Sequence, residues 1–597
     1  MTGLAAPWRG SIGTMSTETE LKFRIPAARL AAVRRAVATR TAVIEPLAAV
    51  YFDTPGEDLA RARIALRLRR ETGGWVQTLK TEGALALQRL EHNVAVQDVG
   101  AGGGDTTDAP PALDLRRHAG SEAGAVLARV LARLSSRAPS RAQERVPMDR
   151  LLVARYATEV RRTRRVLRFE GARIELALDE GRIVAGEAVC TVCEIEFELL
   201  SGSPQALLAL AARWTARFGL VLDVRSKSER GHRLALGQRS SPSSRTRPLE
   251  LSRRSAPGAA IAAMLGNALG QVLANACPLA ELAEPGDAAG GGASRPETAS
   301  ANQIAIPSDA RSASPSDTQP DPELLHQLRV GLRRLRTVLQ VFGPLLPATV
   351  TALAPALATL FGQLGDARER DAMAESLWPA LRAAGAPLVE GPAAPGAAAA
   401  DALPVLLASP AVQQLWLALL GATLAEIPAP LPGADAAALA TSAAAKPTTP
   451  KKPKTPKTPV APAHLRELLS APLNHLLRQV QRDATRFGRL DDAARHRLRR
   501  RIKRLRYAVE LTAALWPAKP VAHLMSRLAK AQTPLGDFND CVVAEAHYRQ
   551  LAAQNPQAWF AVGWLSARRE ALLPGCSAAL ARLASCKAFK ACKAGKA

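Results

Sequence analysis

The stretch TETELKFRIP (residues 17–26) decides how the first part of the chain is interpreted. Its charged residues Glu18, Glu20 and Lys22 alternate with residues that are mostly apolar. Alternation with a period of two is typical of a β-strand, so the three charged side chains share one face. For one isolated strand, a solvated edge explains this pattern. The alternative is a site for a polyanion, which needs both metal ligands and cations, and the rest of the chain must distinguish the two.

Length and charge narrow the possible functions. A chain of 597 residues predicts two to four domains. It has 79 Lys and Arg against 53 Asp and Glu, a net charge of +26. Such an excess indicates an anionic partner, either nucleic acid, an acidic membrane surface or a phosphate polymer. Because aromatic residues make up only 4%, single-stranded nucleic acid is disfavoured. Nucleic acid stays a secondary possibility through the basic run Lys451–Lys457.

Cysteine usage and the absence of a signal sequence favour the cytoplasm. Seven cysteines in so long a chain do not form a disulfide scaffold. Cys190 and Cys193 form a lone CxxC motif without a second pair at zinc spacing, so we do not expect a zinc site there. No apolar run is long enough for a signal sequence or a membrane span, so no membrane partner is expected. Residues 1–15 are interpreted as a disordered leader, and Met15 as an alternative start.

The periodicity divides the chain into a β-rich and a helical part. Residues 16–238 contain short alternating segments separated by turn residues, which predicts a closed antiparallel β-barrel with flanking helices and a flexible insertion at Gly100–Asp108. Residues 239–255 are expected to be a linker, and residues 256–597 show helical periodicity. Low-complexity inserts at 284–320 and 427–462 interrupt the helical part. The predicted fold class is multidomain α+β.

The helical part contains an internal repeat. HQLRVGLRRLR at 326–336 and HRLRRRIKRLR at 496–506 place histidine or basic residues at the same offsets. The stretches LGDARERD (364–371) and LGDFNDC (535–541) follow at nearly equal distances. A duplicated helical unit, with one copy on each side of the second insert, explains both observations.

The same period-two test predicts a charged face on most strands of the first domain. These faces contain Arg67, Arg69, Thr78, Lys80, Arg89, Glu91, Asn93, Glu175, Asp179, Glu194, Glu196 and Glu198. If the apolar faces pack outward against helices, the barrel interior is filled with charge, which is costly unless the charges are paired or bound to ions. An interior with both signs suits a linear polyphosphate held with Mg²⁺ or Mn²⁺, since Arg and Lys bind phosphate oxygens and carboxylates bind these metals.

The first domain resembles the CYTH, or triphosphate tunnel metalloenzyme, superfamily. ETELK matches the ExExK signature, and YFDT, LRLR, TLK, LALDEG, EIEFEL and SKSERG follow in the order found in the family. The resemblance implies an eight-stranded antiparallel tunnel.

It also implies roles for individual residues. The catalytic set is Glu18, Glu20, Lys22, Glu194 and Glu196. The metal-facing set is Glu18, Glu20, Asp179, Glu194, Glu196 and Glu198. The phosphate-binding set is Lys22, Arg67, Arg69, Lys80, Lys227 and Arg230, with Arg162 or Arg164. The run RRTRR leaves open which of the last two arginines joins the set.

A second constellation lies on the repeated helices. Offsets of 0, 3, 7 and 10 fall within about 80° of arc, so each copy forms one narrow basic stripe. The stripes are His326, Arg329, Arg333 and Arg336 in the first copy, and His496, Arg499, Lys503 and Arg506 in the second. The pattern resembles the CHAD domain, which implies two helical bundles with a basic groove that binds inorganic polyphosphate. Asp366, Asp371, Asp537 and Asp540 are expected either to orient the stripes or to cap helices.

Together these features predict a cytoplasmic, metal-dependent inorganic triphosphatase that hydrolyses tripolyphosphate to pyrophosphate and phosphate, with a C-terminal polyphosphate-binding domain. The expected cofactor is Mg²⁺ or Mn²⁺, and the expected partners are tripolyphosphate and long-chain polyphosphate. The alternatives are a non-catalytic polyphosphate-binding adaptor, a thiamine triphosphatase and a class IV adenylate cyclase. No aromatic cluster is predicted in the tunnel strands, which favours an inorganic substrate.

Overall fold

A computed structural model describes most of the two predicted domains. The described residues are 16–71, 74–82, 88–96, 110–135, 152–238, 240–283, 321–364, 377–389, 397–424, 465–586 and 589. The predicted leader, the insertion at Gly100–Asp108 and the two low-complexity inserts lie outside these residues.

The first part of the chain forms a closed antiparallel barrel. The strands are β1 Ser16–Arg24, β2 Val43–Asp53, β3 Ile64–Glu71, β4 Gly74–Glu82, β5 Gln88–Val96, β6 Val153–Phe169, β7 Ala172–Ala185, β8 Ala188–Ser201 and the short β9 Val221–Leu222. The strand order is β5-β4-β3-β2-β6-β7-β8-β1-β9, and β1 also pairs with β5. This last pairing closes strands β1 to β8 into a ring, which confirms the predicted eight-stranded tunnel.

Short helices cover this barrel. They are α1 Leu30–Val37, α2 Asp58–Arg61, α3 Glu122–Ser135, α4 Pro204–Phe218 and α5 Lys227–Ala235. The boundaries of α4 follow from local chemistry, because the Ser203 side chain accepts the Gln205 N–H and Pro204 occupies the first turn. Gly219, with φ of 66°, ends the same helix in the left-handed conformation.

The barrel carries its apolar side chains on the outside. Leu66 on β3 and Leu79 on β4 pack with Leu127 of α3 in one buried cluster. On the opposite side of the ring, the Phe197 ring of β8 contacts the Trp214 ring of α4, with centroids 5.7 Å apart. Because these strand residues face outward, their charged neighbours along each strand face inward. The hydrophobic effect therefore holds charged faces inside the barrel.

The remaining helices belong to the C-terminal part of the chain. They are α6 Pro257–Glu281, α7 Pro322–Val341, α8 Ala348–Thr351, α9 Ala354–Gln363, α10 Ala397–Ala408, α11 Pro410–Leu424, α12 Leu465–Thr485, α13 Asp492–Thr512, α14 Ala518–Ala552 and α15 Ala558–Ala584. By length and composition, helix α6 could span a membrane, although the sequence analysis expected no such run. Within the protein, 72% of its apolar window is buried.

The chain forms two compact units. The barrel unit contains residues up to Ser244 together with Leu273–Leu328 and Asp401–Gly421. The helical unit contains Arg245–Val272, Arg329–Ala400 and the chain from Ala422 onward.

The repeated segments lie on two long helices, α7 and α13. Leu328, Leu332 and Leu335 of α7 are each 0% exposed, and the corresponding residues Leu498, Ile502 and Leu505 of α13 are also 0% exposed. Both helices thus bury an apolar stripe at the same offsets of the repeat. This shared burial supports the interpretation of the two segments as copies of one unit.

Candidate functional site

Strand register brings the predicted catalytic residues together inside the barrel. Across β1 and β8, Lys22 lies opposite Glu196 and Glu20 lies opposite Glu198. Across β6 and β7, Arg162 lies opposite Asp179. Directly opposed residues of antiparallel strands share a face, so these side chains all point into the interior.

The strand register also shows where the arginines of the run RRTRR point. The sequence had left Arg162 and Arg164 as alternatives for the phosphate-binding set. Both arginines face inward. The Arg162 guanidinium donates to Asp179, and the Arg164 Nε donates to the Glu45 carboxylate at 2.8 Å. Arg161 faces outward and pairs with Glu180 at 3.3 Å.

One group of carboxylates inside the barrel is saturated with cations. We call it the Lys227 cluster, and it contains Asp179, Glu194 and Glu196 with their partners Arg162, Lys227 and Arg230. The Lys227 Nζ lies 2.7 Å from Asp179 Oδ2 and 2.8 Å from Glu196 Oε1, and it also pairs with Glu194. Arg230 pairs with the second oxygen of Glu194.

Electrostatics keeps the carboxylates of Glu196 and Asp179 ionised. Burial alone would raise the pKa of Glu196, but Lys227 and Arg162 hold this pKa well below its ordinary value. Burial is likewise outweighed by Lys227 and Arg162 at Asp179, whose pKa is lowered. The Lys227 cluster is therefore an internally neutralised set of ion pairs.

A second group of carboxylates lies on the neighbouring strands β1 and β8. We call Glu18, Glu20 and Glu198 the Glu18 cluster. The Lys80 Nζ lies 3.2 Å from Glu18 Oε2 and also pairs with Glu91. Burial raises the pKa of Glu18 to about 8, because the opposing effect of Lys80 does not compensate for it. Burial and the nearby Glu175 raise the pKa of Glu198 to about 7. A divalent cation beside Glu18 and Glu198 would lower these two raised pKa values.

Several interior residues received no role from the sequence. Glu91, which is 4% exposed, pairs with Lys80, and its Oε1 lies 3.9 Å from Arg67 Nη2. Glu175 and Glu45 both pair with Arg164. Period-two alternation had placed Glu91 and Glu175 on charged faces and could have identified them. Glu45 sits in a largely apolar segment, so no comparable signal marked it.

The predicted phosphate-binding cations of β3 lie inside the barrel. The Arg67 Nη1 donates to the Tyr51 hydroxyl at 3.1 Å, and Arg69 pairs with Glu71. Burial and the neighbouring charge of Arg67 lower the pKa of Arg69. Two adjacent guanidinium groups in a buried position favour an anion with several oxygens.

Helix α5 and two tyrosines fill one end of the interior. The Tyr51 and Tyr156 rings stack with centroids 4.7 Å apart, and the Tyr156 hydroxyl donates to the Ser228 carbonyl at 2.9 Å. A Cβ at Gly231 of α5 would lie 2.3 Å from the Tyr156 ring, so this glycine allows the close approach of helix and ring. The expectation of a tunnel without an aromatic cluster was therefore wrong, because Tyr51 and Tyr156 lie on different strands and meet only in the folded barrel.

The lone CxxC motif does not assemble a ligand pair. Cys190 lies opposite Ile183 and Cys193 opposite Glu180 in the pairing of β7 with β8. Positions three apart on a strand face opposite sides of the sheet, so the two thiols point apart.

In the helical unit, the first basic stripe surrounds one aromatic ring. The guanidinium carbons of Arg329, Arg333 and Arg336 lie 5.4, 5.5 and 4.9 Å from the centroid of the Phe361 ring of α9. Arg329 also donates to the Leu364 carbonyl. His326 lies one turn earlier on α7, within the residues of the barrel unit, so we describe this stripe from Arg329 onward.

The second stripe lies on α13 against α14. His496 Nδ1 contacts Asn539 Oδ1, and Arg499 Nη2 lies 3.9 Å from Asp540 Oδ1. Burial, followed by the charges of Arg499 and Arg333, lowers the pKa of Lys503 to about 7. Since Arg333 belongs to the first stripe, this effect shows that the two stripes are close enough to influence each other. We call the surface formed by both stripes the basic groove.

A cavity of about 300 Å³ opens beside the second stripe. Its lining includes His496, Arg499 and Arg500 of α13 and Leu535, Phe538 and Asn539 of α14. Of the predicted aspartates, Asp540 lies beside Arg499, and burial and Asp540 raise the pKa of Asp537. Asp366 and Asp371 lie outside the described residues.

Two sets of carboxylates could be considered for a metal ion. The oxygens of Asp179, Glu194 and Glu196 lie within 4.8 Å of one another. These oxygens are occupied by Arg162, Lys227 and Arg230, however, and a metal would have to displace these cations. Glu18, Glu20 and Glu198 form a second set of carboxylates, the oxygen ligands that Mg²⁺ and Mn²⁺ prefer, and Lys80 lies beside Glu18.

Two protein families match the chain in sequence. The CYTH domain family matches residues 16–231, and the CHAD domain family matches residues 311–549. The chain is 27% identical over 191 residues to a protein of Haemophilus influenzae named inorganic triphosphatase, an alignment that covers 32% of this chain and 46% of that protein. The chain thus spans about half the length of this relative.

Two solved structures are also similar. The CHAD domain of Ricinus communis is 26% identical with a TM-score of 0.40, covering 58% of this chain and 99% of that chain. HpAC1 from Hippeastrum, whose structure is described as revealing a dominant triphosphatase activity, is 20% identical with a TM-score of 0.23, covering 36% of this chain and 92% of that chain. Since both scores are low, the fold assignment rests on the strand order and register described above. With both families matched in sequence, the chain belongs to the proteins that carry a CYTH domain followed by a CHAD domain.

Proposed function

We propose that the barrel unit is a metal-dependent inorganic triphosphatase that hydrolyses tripolyphosphate to pyrophosphate and phosphate. The observation that carries this proposal is the interior of a closed barrel in which the carboxylates of the Glu18 cluster lie beside several arginines and lysines. Binding a polyanion alone would require only the cations. The half-buried carboxylates of the Glu18 cluster would weaken such binding unless a metal ion neutralised them.

The cations of the barrel would hold the phosphate chain. Arg67 and Arg69 are suited to bind non-bridging oxygens with paired N–H donors, and Lys22 and Lys80 contribute point charges. Ion pairs already position Arg67, Arg69 and Lys80, and Lys22 donates to the Arg225 carbonyl, so little reorganisation is needed when the substrate binds. Their positive charge would offset the negative charge that develops on the leaving pyrophosphate during phosphoryl transfer.

Glu18, Glu20 and Glu198 would hold the Mg²⁺ or Mn²⁺ ion. When bound, this ion would neutralise phosphate oxygens and lower the pKa of the attacking water. The protein would keep the three carboxylates on adjacent strands and exclude bulk water from the interior. Lys22 lies on β1 beside Glu20, so metal ligand and phosphate-binding cation are placed by the same strand.

The other activities known for this barrel are less well supported. A thiamine triphosphatase or an adenylate cyclase needs a surface for a planar ring. The candidate surface in this interior is the pair Tyr51 and Tyr156, but the two rings stack on each other and Gly231 of α5 packs against Tyr156. A non-catalytic adaptor leaves the Glu18 cluster without a role.

For the helical unit we propose binding of long-chain inorganic polyphosphate in the basic groove. The two stripes present arginines at helical spacing over about 15 Å, a length that can follow several phosphates of a linear chain. Like charges along one helix repel each other, so an anion in the groove would relieve this repulsion. We propose the cytoplasm as the location, because neither unit contains a disulfide among the described cysteines.

The proposed activity is tested by measuring phosphate release from tripolyphosphate, ATP and thiamine triphosphate side by side, with Mg²⁺ and with Mn²⁺. The expected result is metal-dependent release that is fastest with tripolyphosphate. Equal release without metal, or preference for thiamine triphosphate, would contradict the proposal. Binding of tripolyphosphate without any release in either metal would favour the adaptor.

A further inference from the structure

The ammonium group of Lys22 is held by a turn of the backbone. Its Nζ donates to the Arg225 carbonyl, and the Asp223 N–H donates to the Lys22 carbonyl at 2.9 Å. The side chain and the main chain of Lys22 therefore both contact the turn from Asp223 to Arg225, which follows β9. An ammonium group has three N–H donors, so one carbonyl contact can position it without using all three.

Arg225 closes this turn with a side chain to which the sequence analysis gave no role. Its Nε and Nη2 donate to the two carboxylate oxygens of Asp223, at 2.9 and 2.7 Å, and its backbone N–H donates to Asp223 Oδ1 at 2.9 Å. Both residues are 2% exposed. Burial alone would raise the pKa of Asp223, but Arg225 holds this pKa well below its ordinary value. A buried, bidentate ion pair thus fixes the shape of the turn.

The remaining nitrogen of the Arg225 guanidinium contacts a residue far along the chain. Its Nη1 donates to Glu281 Oε2 at 2.6 Å and to Ser241 Oγ at 3.3 Å. Glu281 is the last residue of α6, in the part of the chain whose periodicity predicted helices. The carboxylate that completes the contacts of Arg225 therefore comes from outside residues 16–238.

The strand before the turn is held from the same helical part of the chain. Gln413 Oε1 accepts the Leu222 N–H at 2.8 Å, and the Cys277 thiol donates to the Leu222 carbonyl at 3.2 Å. Cys277, Glu281 and Gln413 all belong to the barrel unit. Residues from the helical part of the sequence thus surround the turn that contacts Lys22.

We infer that Arg225 is a positioning residue for Lys22, and that Glu281 fixes Arg225 from the helical part of the chain. This inference rests on the proposed function, in which Lys22 binds phosphate. Loss of the Glu281 carboxylate would leave a buried guanidinium with one acceptor fewer, which is costly and favours a shift of the side chain. Such a shift would move the Arg225 carbonyl, and with it the ammonium group of Lys22.

A double-mutant cycle on the full chain tests this connection. Glu281→Gln is suitable because the Glu281 side chain is 44% exposed, so the substitution leaves the core intact. Glu510→Gln is the matched control, since Glu510 is 40% exposed and pairs with Arg334, which is 3% exposed like Arg225. Glu510 and Arg334 both lie in the helical unit.

Each substitution is made with Lys22 present and in a Lys22→Ala background. The readout is the affinity for tripolyphosphate by calorimetry without divalent metal, which does not depend on turnover. The part of the binding that Lys22→Ala weakens identifies the barrel site. Melting temperatures show that each variant is folded.

We expect the effect of Glu281→Gln to depend on Lys22. It should weaken tripolyphosphate binding by roughly threefold to tenfold when Lys22 is present and by less than about twofold in the Lys22→Ala background, because residues of one network have non-additive effects. Glu510→Gln should leave the affinity within about twofold in both backgrounds. Arg225→Lys keeps the charge but loses the planar fork that meets Asp223 and Glu281 together, so it should weaken binding more than Glu281→Gln does, again only when Lys22 is present.

The inference is overturned if Glu281→Gln weakens binding equally in both backgrounds, which would indicate a general defect of the barrel, or if it has no effect on binding. It is also overturned if Lys22→Ala alone leaves the affinity unchanged, because Lys22 would then not bind phosphate. Should Arg225→Lys fail to fold, the cycle with Glu281→Gln decides the question. The proposed function fails separately if the unsubstituted protein releases no phosphate from tripolyphosphate with Mg²⁺ or Mn²⁺, a result that does not alter the metal-free cycle.

Discussion

Lys503 gives the basic groove a pH dependence that can be calculated. Burial and the charges of Arg499 and Arg333 lower its pKa from 10.5 to about 7. A polyanion in the groove would stabilise the ammonium form and return this pKa toward its ordinary value. Binding is then accompanied by proton uptake above neutral pH. Because the free protein must first take up this proton, affinity falls as the pH rises through 7.

The size of this effect follows from the two protonation states. At pH 6 about nine-tenths of Lys503 is already charged, and at pH 8 only about one-tenth is charged. If bound Lys503 stays fully protonated, polyphosphate affinity falls by about tenfold between pH 6 and pH 8, or about 1.4 kcal/mol.

The measurement is the affinity of the full chain for long-chain polyphosphate by calorimetry, without divalent metal and at constant ionic strength. Lys503→Arg is the matched control, because its charge does not titrate in this range. This variant should bind more tightly than the unsubstituted protein at pH 8 and lose most of the pH dependence. If Lys503→Arg shows the same tenfold decline, the reasoning about Lys503 is wrong.

Four further outcomes are expected. Glu198→Gln should remove most tripolyphosphate turnover and regain part of it at high Mn²⁺; full activity at ordinary Mn²⁺ would exclude the Glu18 cluster as the metal site. Lys22→Ala should weaken tripolyphosphate binding by about 1.5–3 kcal/mol in calorimetry, as for loss of a charged hydrogen bond, while Mn²⁺ affinity changes less. Replacing the three arginines of the first stripe with alanine should lower the salt dependence of polyphosphate binding by about three contacts, and an unchanged slope would place the anion elsewhere. Gly231→Ala should lower the free energy of unfolding by about 1–3 kcal/mol, and with it the melting temperature, since its Cβ would lie 2.3 Å from the Tyr156 ring. An unchanged melting temperature would show that helix α5 can shift to accommodate the methyl group.

Much of the fold was predictable because local sequence carries it. Alternation in TETELKFR and in the other strands predicted which side chains share a face, and the barrel places these faces inward. The repeated basic segments predicted two helices, and both form. Strand alternation and helical periodicity depend on neighbours within a few residues, so they can be read before the chain folds.

The sequence predicted which residues lie in the site better than it predicted how these residues are arranged. The sequence placed six carboxylates together as metal-facing residues. In the structure they form two clusters, since the register of β1, β7 and β8 sets which carboxylate meets which cation. Lys227 reaches Asp179, Glu194 and Glu196 only because α5 packs at one end of the barrel. No local sequence pattern specifies how close α5 lies to the carboxylates of β7 and β8.

The sequence by itself determined the inside-out barrel, the charged interior and the two basic helices, because each follows from short-range periodicity and from the burial of apolar faces. Tertiary structure alone decided that Arg162 and Arg164 both face inward, that Tyr51 stacks on Tyr156, and that Phe361 lies among the arginines of the first stripe. These contacts join residues far apart in the chain. Strand register and helix packing bring them together, and both are set by the minimisation of exposed apolar surface over the whole unit.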